Sequence, residues 1–392
     1  YIMKEKKLGL LPKLIVGIIV GIIIGLISAS VDQYLVVKLM STFSGIFGSF
    51  LKFVIPLIII AFVAPGIADL GRDAGKMLAI TAGIAYVSAI TAGFVAFFVG
   101  SAILPNVIKA GQVTSNASVD VSGFFSLDMG AVMGVMTALV LAFLLGIGMA
   151  SIKSRKLFEV VLDFKHIMEL VVHKVLIPLI PIHIAGIFAK ISATGEIFET
   201  MKAFASVFVL ILGLQLAYII VQYIIAWLVS GKKPVKAIKN MLPAYFTALG
   251  TQSSAATIAV TLDSAKKNDV SEDIVDLVIP LGATIHLAGD TITLVLASMG
   301  VMLLAGITPT FTMMMPFIFM LGITMVAAPG IPGGGVMAAL GLLDSMLGFT
   351  VAQQTLMIAL HFAQDSFGTA TNVTGDGAIA IIIDTIYKKK KK

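Results

Sequence analysis

Cysteine is absent from the 392 residues, and charge is scarce, with only 12% of positions Asp, Glu, Lys or Arg. The first absence excludes disulfides, iron–sulfur centres and thiolate-held metals, and leaves the compartment open. The second excludes an ordinary soluble domain, where about a quarter of residues are charged and about half are apolar. Here 58% are hydrophobic and the mean hydropathy is +1.05, the signature of a polytopic membrane protein. No nucleophile triad, phosphate loop or HExxH pattern is present, so no enzyme is expected. His166, His173, His183, His286 and His361 include no close pair at metal-ligand spacing. A net charge of +6 is no nucleic-acid signature, because the lysines gather at the ends of apolar segments. No cleavable signal is visible, and with Tyr1 in first place a longer natural chain is expected.

Several apolar stretches reach the ~20 residues that span hydrocarbon. Spans are expected over Leu8–Ile27, Leu39–Ala68, Met77–Leu104, a broken Phe124–Ser151, Val171–Ile191 and Phe204–Val229. With the N-terminus inside, Arg72/Lys76, Lys153/Arg155/Lys156, the Lys232–Lys239 group and Lys388–Lys392 all fall on the inner side. Lys109, Lys190 and Lys202 fall outside. That alternation holds only if two later segments enter and leave on one side. The first is Met241–Leu262, with Pro243 and a polar centre at Thr247, Gly250, Thr251, Gln252, Ser253, Ser254 and Thr257. The second is Met313–Phe349, interrupted by Ala328-Pro-Gly-Ile-Pro-Gly-Gly-Gly335. Non-helical backbone at membrane depth survives only when buried in protein or lining a wet cavity. Paired interrupted segments point to a transporter site.

Near the C-terminus, Thr369, Asn372 and Asp376 fall within about 40° of Asp365 on one helix face. Acids in a bilayer cost roughly 2.5–3.5 kcal/mol each at a helix centre, and by default they mark a polar pathway. Asp384 lies off this stripe near the helix end, and His361 reads as a polar packing residue one turn before Asp365. Between the interrupted segments, Ile279–Thr291 carries Gly282, Gly289, Thr284, His286 and Asp290 and suits a locally unwound helix whose freed carbonyls could hold a hard cation.

Together these pieces resemble the dicarboxylate/amino acid:cation symporter family, which includes the glutamate transporters and, closest in site motifs, bacterial serine/threonine transporters. The matching residues are Ser253-Ser254-Ala-Ala-Thr257, Pro280-Leu-Gly-Ala-Thr-Ile285, Gly330-Ile-Pro-Gly333 and Asp365…Thr369…Asn372-Val-Thr-Gly-Asp376. The resemblance implies an all-α polytopic fold with inverted repeats: eight transmembrane helices plus two re-entrant hairpins, assembled as a homotrimer in the cell inner (plasma) membrane with both termini cytoplasmic. It implies scaffold helices in 1–75 and 105–201, and an elevator-like transport domain built from 76–104 and 202–392. It also implies substrate contacts from Ser254, Asp290, Ile331, Asp365, Gly368, Thr369 and Asn372. Asp365 would hold the amino group and Asn372 the α-carboxylate. One sodium site would use carbonyls of Gly282, His286 and Asn372 with the Asp376 carboxylate. A second would use Thr284, Leu287, Met325, Val326 and Ala328.

Departures from the family pattern narrow the substrate. Carriers of acidic substrates place an arginine just before the threonine that matches Thr369, and this chain has Gly368 there; Gln252 replaces a second such arginine. A buried carboxylate without a cationic partner is costly, so acidic amino acids and dicarboxylates are not expected. Ala288 stands where the family has the aspartate of a third sodium site, and alignment through Lys76 puts Ile84 and Ala85 at its hydroxyl positions. About two coupling ions therefore remain, with protons through His286 or Asp290 as an alternative. Asp290 replaces a small hydroxyl residue and admits two readings: partner of a cationic side chain, or a protonated carboxyl for a neutral polar one. The expectation is sodium-coupled uptake of a serine-, threonine- or alanine-like amino acid, with a cationic amino acid and an anion-conducting channel as alternatives.

Overall fold

A computed structural model describes residues 10–72, 76–108, 119–326, 328 and 332–391. Among these there are fourteen α-helices and no strand. They are α1 (Leu10–Ser30), α2 (Leu35–Arg72), α3 (Lys76–Val107), α4 (Val135–Ser151), α5 (Lys156–Val171), α6 (Ile177–Ala193) and α7 (Ile197–Ser230). The second half holds α8 (Pro234–Thr251), α9 (Ser254–Lys266), α10 (Glu272–Ile285), α11 (Ala288–Leu304), α12 (Phe311–Val326), α13 (Gly334–Leu347) and α14 (Val351–Lys391). By length and composition, six described stretches can cross a membrane: Pro12–Ser30, Leu35–Ala68, Ala79–Val107, Lys156–Ala193, Ile197–Ser230 and Glu272–Leu304. The 41 residues of α14 are too polar to join them, because the acidic stripe runs through its middle.

Two boundaries differ from expectation. The segment expected at Phe124–Ser151 is helical only from Val135, and the fifth span begins earlier, at Lys156, passing through a π-helical turn (Val172–Leu176) into α6. Charged residues mask that start. Glu159, Asp163, Lys165 and Glu169 share α5 with buried Phe158, Val161 and Met168, and a 3.6-residue period lets both faces coexist. The first interrupted segment becomes α8 and α9, broken at Gln252 (φ +54°) and restarted by Ser253, whose side chain accepts from the Ala256 N–H. The second becomes α12 and α13, and Ile279–Thr291 breaks at His286–Leu287 between α10 and α11.

Packing divides the helices into two groups. In the first, α1 lies along α6, and α2 packs on α4, α5 and α6. Gly17, Gly21 and Gly25 let α1 press onto the backbone oxygens of Pro181, Ala185 and Ala189; a Cβ at Gly17 would sit 2.5 Å from the Pro181 oxygen. Small residues at four-residue spacing serve this purpose in lipid, where no hydrophobic drive joins helices. In the second group α14 is the axis, packed by α7, α8, α9, α10 and α11, with α3 against α11 and α12. Large apolar side chains left exposed on α1, α3, α4 and α7, such as Val16, Val87, Leu144 and Val209, suit contact with lipid.

Candidate functional site

The α14 stripe meets three interrupted elements in turn. Asp365 Oδ2 accepts the Gly333 N–H at 2.7 Å, and Thr369 lies one turn further along the same helix, its side chain close to the same carboxylate. Gly333 is the N-cap of α13 at φ +73°, where an L side chain is strained, and a Cβ there would overlap the Phe362 ring. One turn beyond Thr369, Asn372 Oδ1 accepts the Gly289 N–H at 2.7 Å, in the first turn of α11. Its amide nitrogen donates to Asp290 Oδ2 at 2.5 Å. On the α9 side, Gln252 Nε2 donates to Ser366 Oγ at 2.9 Å, beside buried Ser254. The N-terminal ends of α9, α11 and α13 thus meet the 365–372 stretch, and helix N-termini favour negative charge. An acid to hold an ammonium group and three helix ends to hold a carboxylate make a fitting environment for an amino acid zwitterion.

Asp290 has both carboxylate oxygens engaged, the second by His361 Nε2 at 2.7 Å from Oδ1. His361, read in sequence as a polar packing residue, thus makes its polar contact with Asp290, one of the candidate site residues. The signal available in the sequence was its place one turn before Asp365; its partner is remote in sequence. Ligand atoms of Asp290, His361 and Asp365 all lie within 4.8 Å of one another, and all three residues are buried. Gly335 of α13 closes over the pair, since a Cβ there would meet Asp290 Oδ1 at 2.7 Å and His361 Nε2 at 3.1 Å. Gly368 leaves room for a Cβ, which would lie 3.6 Å from Gln215 Nε2 and 3.7 Å from the Asp290 nitrogen. The extra space is thus bounded by Gln215 of α7, a residue missed in sequence, whose Nε2 donates to the Gly289 oxygen (3.2 Å) and Thr293 Oγ1 (3.0 Å). Ile331 lies outside the described residues.

At the far end of the stripe, Asp376 is buried, with Oδ1 2.9 Å from His286 Nδ1 and Oδ2 lacking a hydrogen-bond partner among the described residues. Gly282 presses on the same carboxylate, where a Cβ would lie 2.6 Å from Oδ1. His286, expected to act through its carbonyl, also commits its ring. Nε2 lies 3.0 Å from Ser88 Oγ and 3.3 Å from Gln222 Nε2, and Tyr218 OH donates to the Ser88 carbonyl at 2.7 Å. Ser88 is thus an α3 hydroxyl that faces this end. It sits four residues after Ile84, on the same helix face one turn along. Ala85 and Ala288 are buried and offer no side-chain oxygen. Of the residues expected in a second sodium site, Leu287, Met325 and Ala328 are buried and Val326 is half-buried. Thr284 is exposed and donates its hydroxyl to its own helix at the Leu281 oxygen (2.8 Å), so it is not aimed into a buried ligand cage. The unpartnered Asp376 oxygen is the feature that best fits a bound monovalent cation.

Broken helices meeting an acidic stripe at membrane depth agree with the profile of the sodium:dicarboxylate symporters, which matches residues 10–386. The chain belongs to that family. Members and relatives are transporters rather than enzymes, and the chain is a multi-pass membrane transporter. Serine/threonine transporter SstT of Acinetobacter baumannii (strain AYE) is 26% identical over 396 residues, covering 96% of this chain and 97% of the relative. Excitatory amino acid transporter 1 of Rattus norvegicus is 31% identical over 183 residues, covering 46% of this chain and 34% of the relative. An excitatory amino acid transporter of Caenorhabditis elegans is 26% identical over 257 residues, covering 64% and 50%.

Proposed function

We propose that this transporter imports a neutral polar amino acid, of the serine or threonine kind, in symport with about two sodium ions. The observation that carries this reading is the charge inventory around 365–372. Asp290 is already matched by His361 and Asn372, so Asp365 is the acid left to meet one substrate ammonium group. Among the described residues no arginine or lysine contacts this stretch, and Gly368 and Gln215 stand where an acidic side chain would need a cation. A buried carboxylate without a partner is costly, which disfavours acidic substrates despite the family's name. The SstT relatives span nearly the whole chain and support the same class.

Asp365 and Thr369 clamp the amino group, and the ends of α9, α11 and α13, with Ser254 and Asn372, receive the carboxylate. Asp376, with carbonyls at Gly282, His286 and Asn372, holds sodium, and the backbone around Leu287, Met325, Val326 and Ala328 offers a second position. Bound sodium supplies the positive charge that makes loading both sites favourable together. In this reading α1, α2 and α4–α6 form a scaffold within a homotrimer of the plasma membrane, both termini are cytoplasmic, and α3 with α7–α14 carries the substrate as an elevator.

Labelled serine accumulating saturably in proteoliposomes, and only under an inward sodium gradient, is the expected result. Uptake linear in concentration, with conductance at zero gradient, would replace the symporter with a channel. The His286–Asp376 contact favours one second reading, in which a proton takes the part of a coupling ion. Uptake driven by a pH gradient in sodium-free medium would establish it.

A further inference from the structure

We propose that His361 sets the side-chain selectivity of the pocket: its contact with Asp290 removes the one carboxylate that a cationic side chain could use. The proposal deepens the reading of 365–372 as an amino acid site and rests on it. Three observations carry it. His361 Nε2 is 2.7 Å from Asp290 Oδ1, while the ring's other nitrogen is buried without a hydrogen-bond partner among the described residues. The imidazole is thus held at the pocket end by Asp290, and no described residue hydrogen-bonds its far side. Second, ligand atoms of the pair lie within 4.8 Å of those of Asp365, a few bonds from where the amino group would sit. Third, the pair is covered by Gly335 of α13, the helix whose N-cap N–H, at Gly333, meets Asp365, so whatever occupies the pocket shares a roof with the pair.

A role in helix packing alone is a poor account of this arrangement. A buried charged pair is no reliable source of stability compared with apolar residues of similar volume. Without the imidazole, Asp290 keeps only the uncharged amide of Asn372 as a donor. A substrate ammonium group would then find a buried, unmatched carboxylate about one short side chain away from Asp365. Without the carboxylate of Asp290, an imidazole is left facing the same space.

The separation suits a short side chain, so the probes are homoserine and 2,4-diaminobutyrate, which share a carbon chain and differ by a hydroxyl against an ammonium group. Binding to the purified full chain is measured in saturating sodium by calorimetry, with serine as reference. The wild-type protein is expected to prefer homoserine at least tenfold. His361→Gln and His361→Asn should each shift the ratio toward diaminobutyrate by at least tenfold, and adding Asp290→Asn should reverse that shift. Asp290→Asn alone should leave the preference against diaminobutyrate in place and raise aspartate affinity relative to homoserine several-fold. Folded His361 variants that keep the wild-type ratio within twofold overturn the proposal, as does a folded Asp290→Asn that leaves the aspartate ratio unchanged. If wild-type protein binds serine and threonine, such failures fall on His361 alone. If it binds no neutral amino acid, the underlying reading of the site falls with the proposal.

Discussion

Gly282→Ala places a methyl group against the one carboxylate assigned to a cation. Its Cβ would lie 2.6 Å from Asp376 Oδ1, 2.7 Å from Cγ and 3.2 Å from Oδ2, where relaxed non-bonded contacts begin near about 3.5 Å. Asp376 must therefore withdraw by close to ~1 Å. It is not free to do so cheaply, because His286 holds Oδ1 at 2.9 Å and that ring is held in turn by Ser88 and Gln222. Forcing a methyl into a filled interior costs about 1–3 kcal/mol. With about 1.4 kcal/mol per tenfold, the central value corresponds to roughly 30-fold weaker sodium binding. Sodium titration of thermal stability, with and without serine, reads this directly. At saturating sodium the order of preference among amino acids should persist, since the side-chain end of the pocket lies at Asp290 and Gly368. A folded variant whose half-saturating sodium stays within threefold of wild type would refute the assignment of Asp376.

Asp365→Asn can still accept from the Gly333 N–H but loses the charge that would meet an ammonium group; serine affinity should fall at least 100-fold, from the ~3–5 kcal/mol lost when one partner of a buried pair is removed. A fall of less than tenfold in calorimetry would count against the clamp. Thr355→Val removes the partner of His183, whose Nε2 lies 2.8 Å from the Thr355 hydroxyl between α6 and α14. The buried nitrogen left behind should cost about 1–3 kcal/mol, seen as a lower Tm, and an unchanged Tm would show that the contact is unimportant. On the loop before α4, hydrogen bonds from Lys38 and then Ser122 hold the Asp120 carboxyl below its ordinary range. A depressed folded value means that its small contribution is complete above the unfolded carboxyl pKa of about 3.9 and is lost as pH falls through the folded value. Carboxyl NMR should show that low midpoint moving up in Lys38→Gln, and a midpoint indifferent to Lys38 would contradict the pairing.

Much of the architecture was legible because a bilayer allows few solutions. Long apolar runs with lysines at their ends can only be spans, and Pro-, Gly- or Ser-interrupted runs survive only inside protein. Gly368, as the absence of a cation, was equally readable, because missing chemistry needs no contact map. Harder to see was α5, where charge on one face hid a helix that continues into the next span. His361, Gln215 and Ser88 escaped for a different reason. Each earns its place through a partner 71, 74 or 198 residues away, and no local period or spacing encodes such a meeting.

By itself the sequence determined that this chain lives in a membrane, breaks its helices in three places and carries one stripe of costly polar groups, because low charge, Gly/Pro interruption and 3.6-residue spacing are local properties. Only the tertiary structure decided how that stripe is divided. Asp365 takes the end of α13, Asn372 takes the first turn of α11 through Gly289 and Asp290, and Asp376 takes His286. It also decided that Asp290, whose two readings the sequence left open, lies 2.7 Å from His361 Nε2. That distinction depends on which buried charges lie within hydrogen-bonding distance, and only the packing of α11 and α13 against α14 sets those distances.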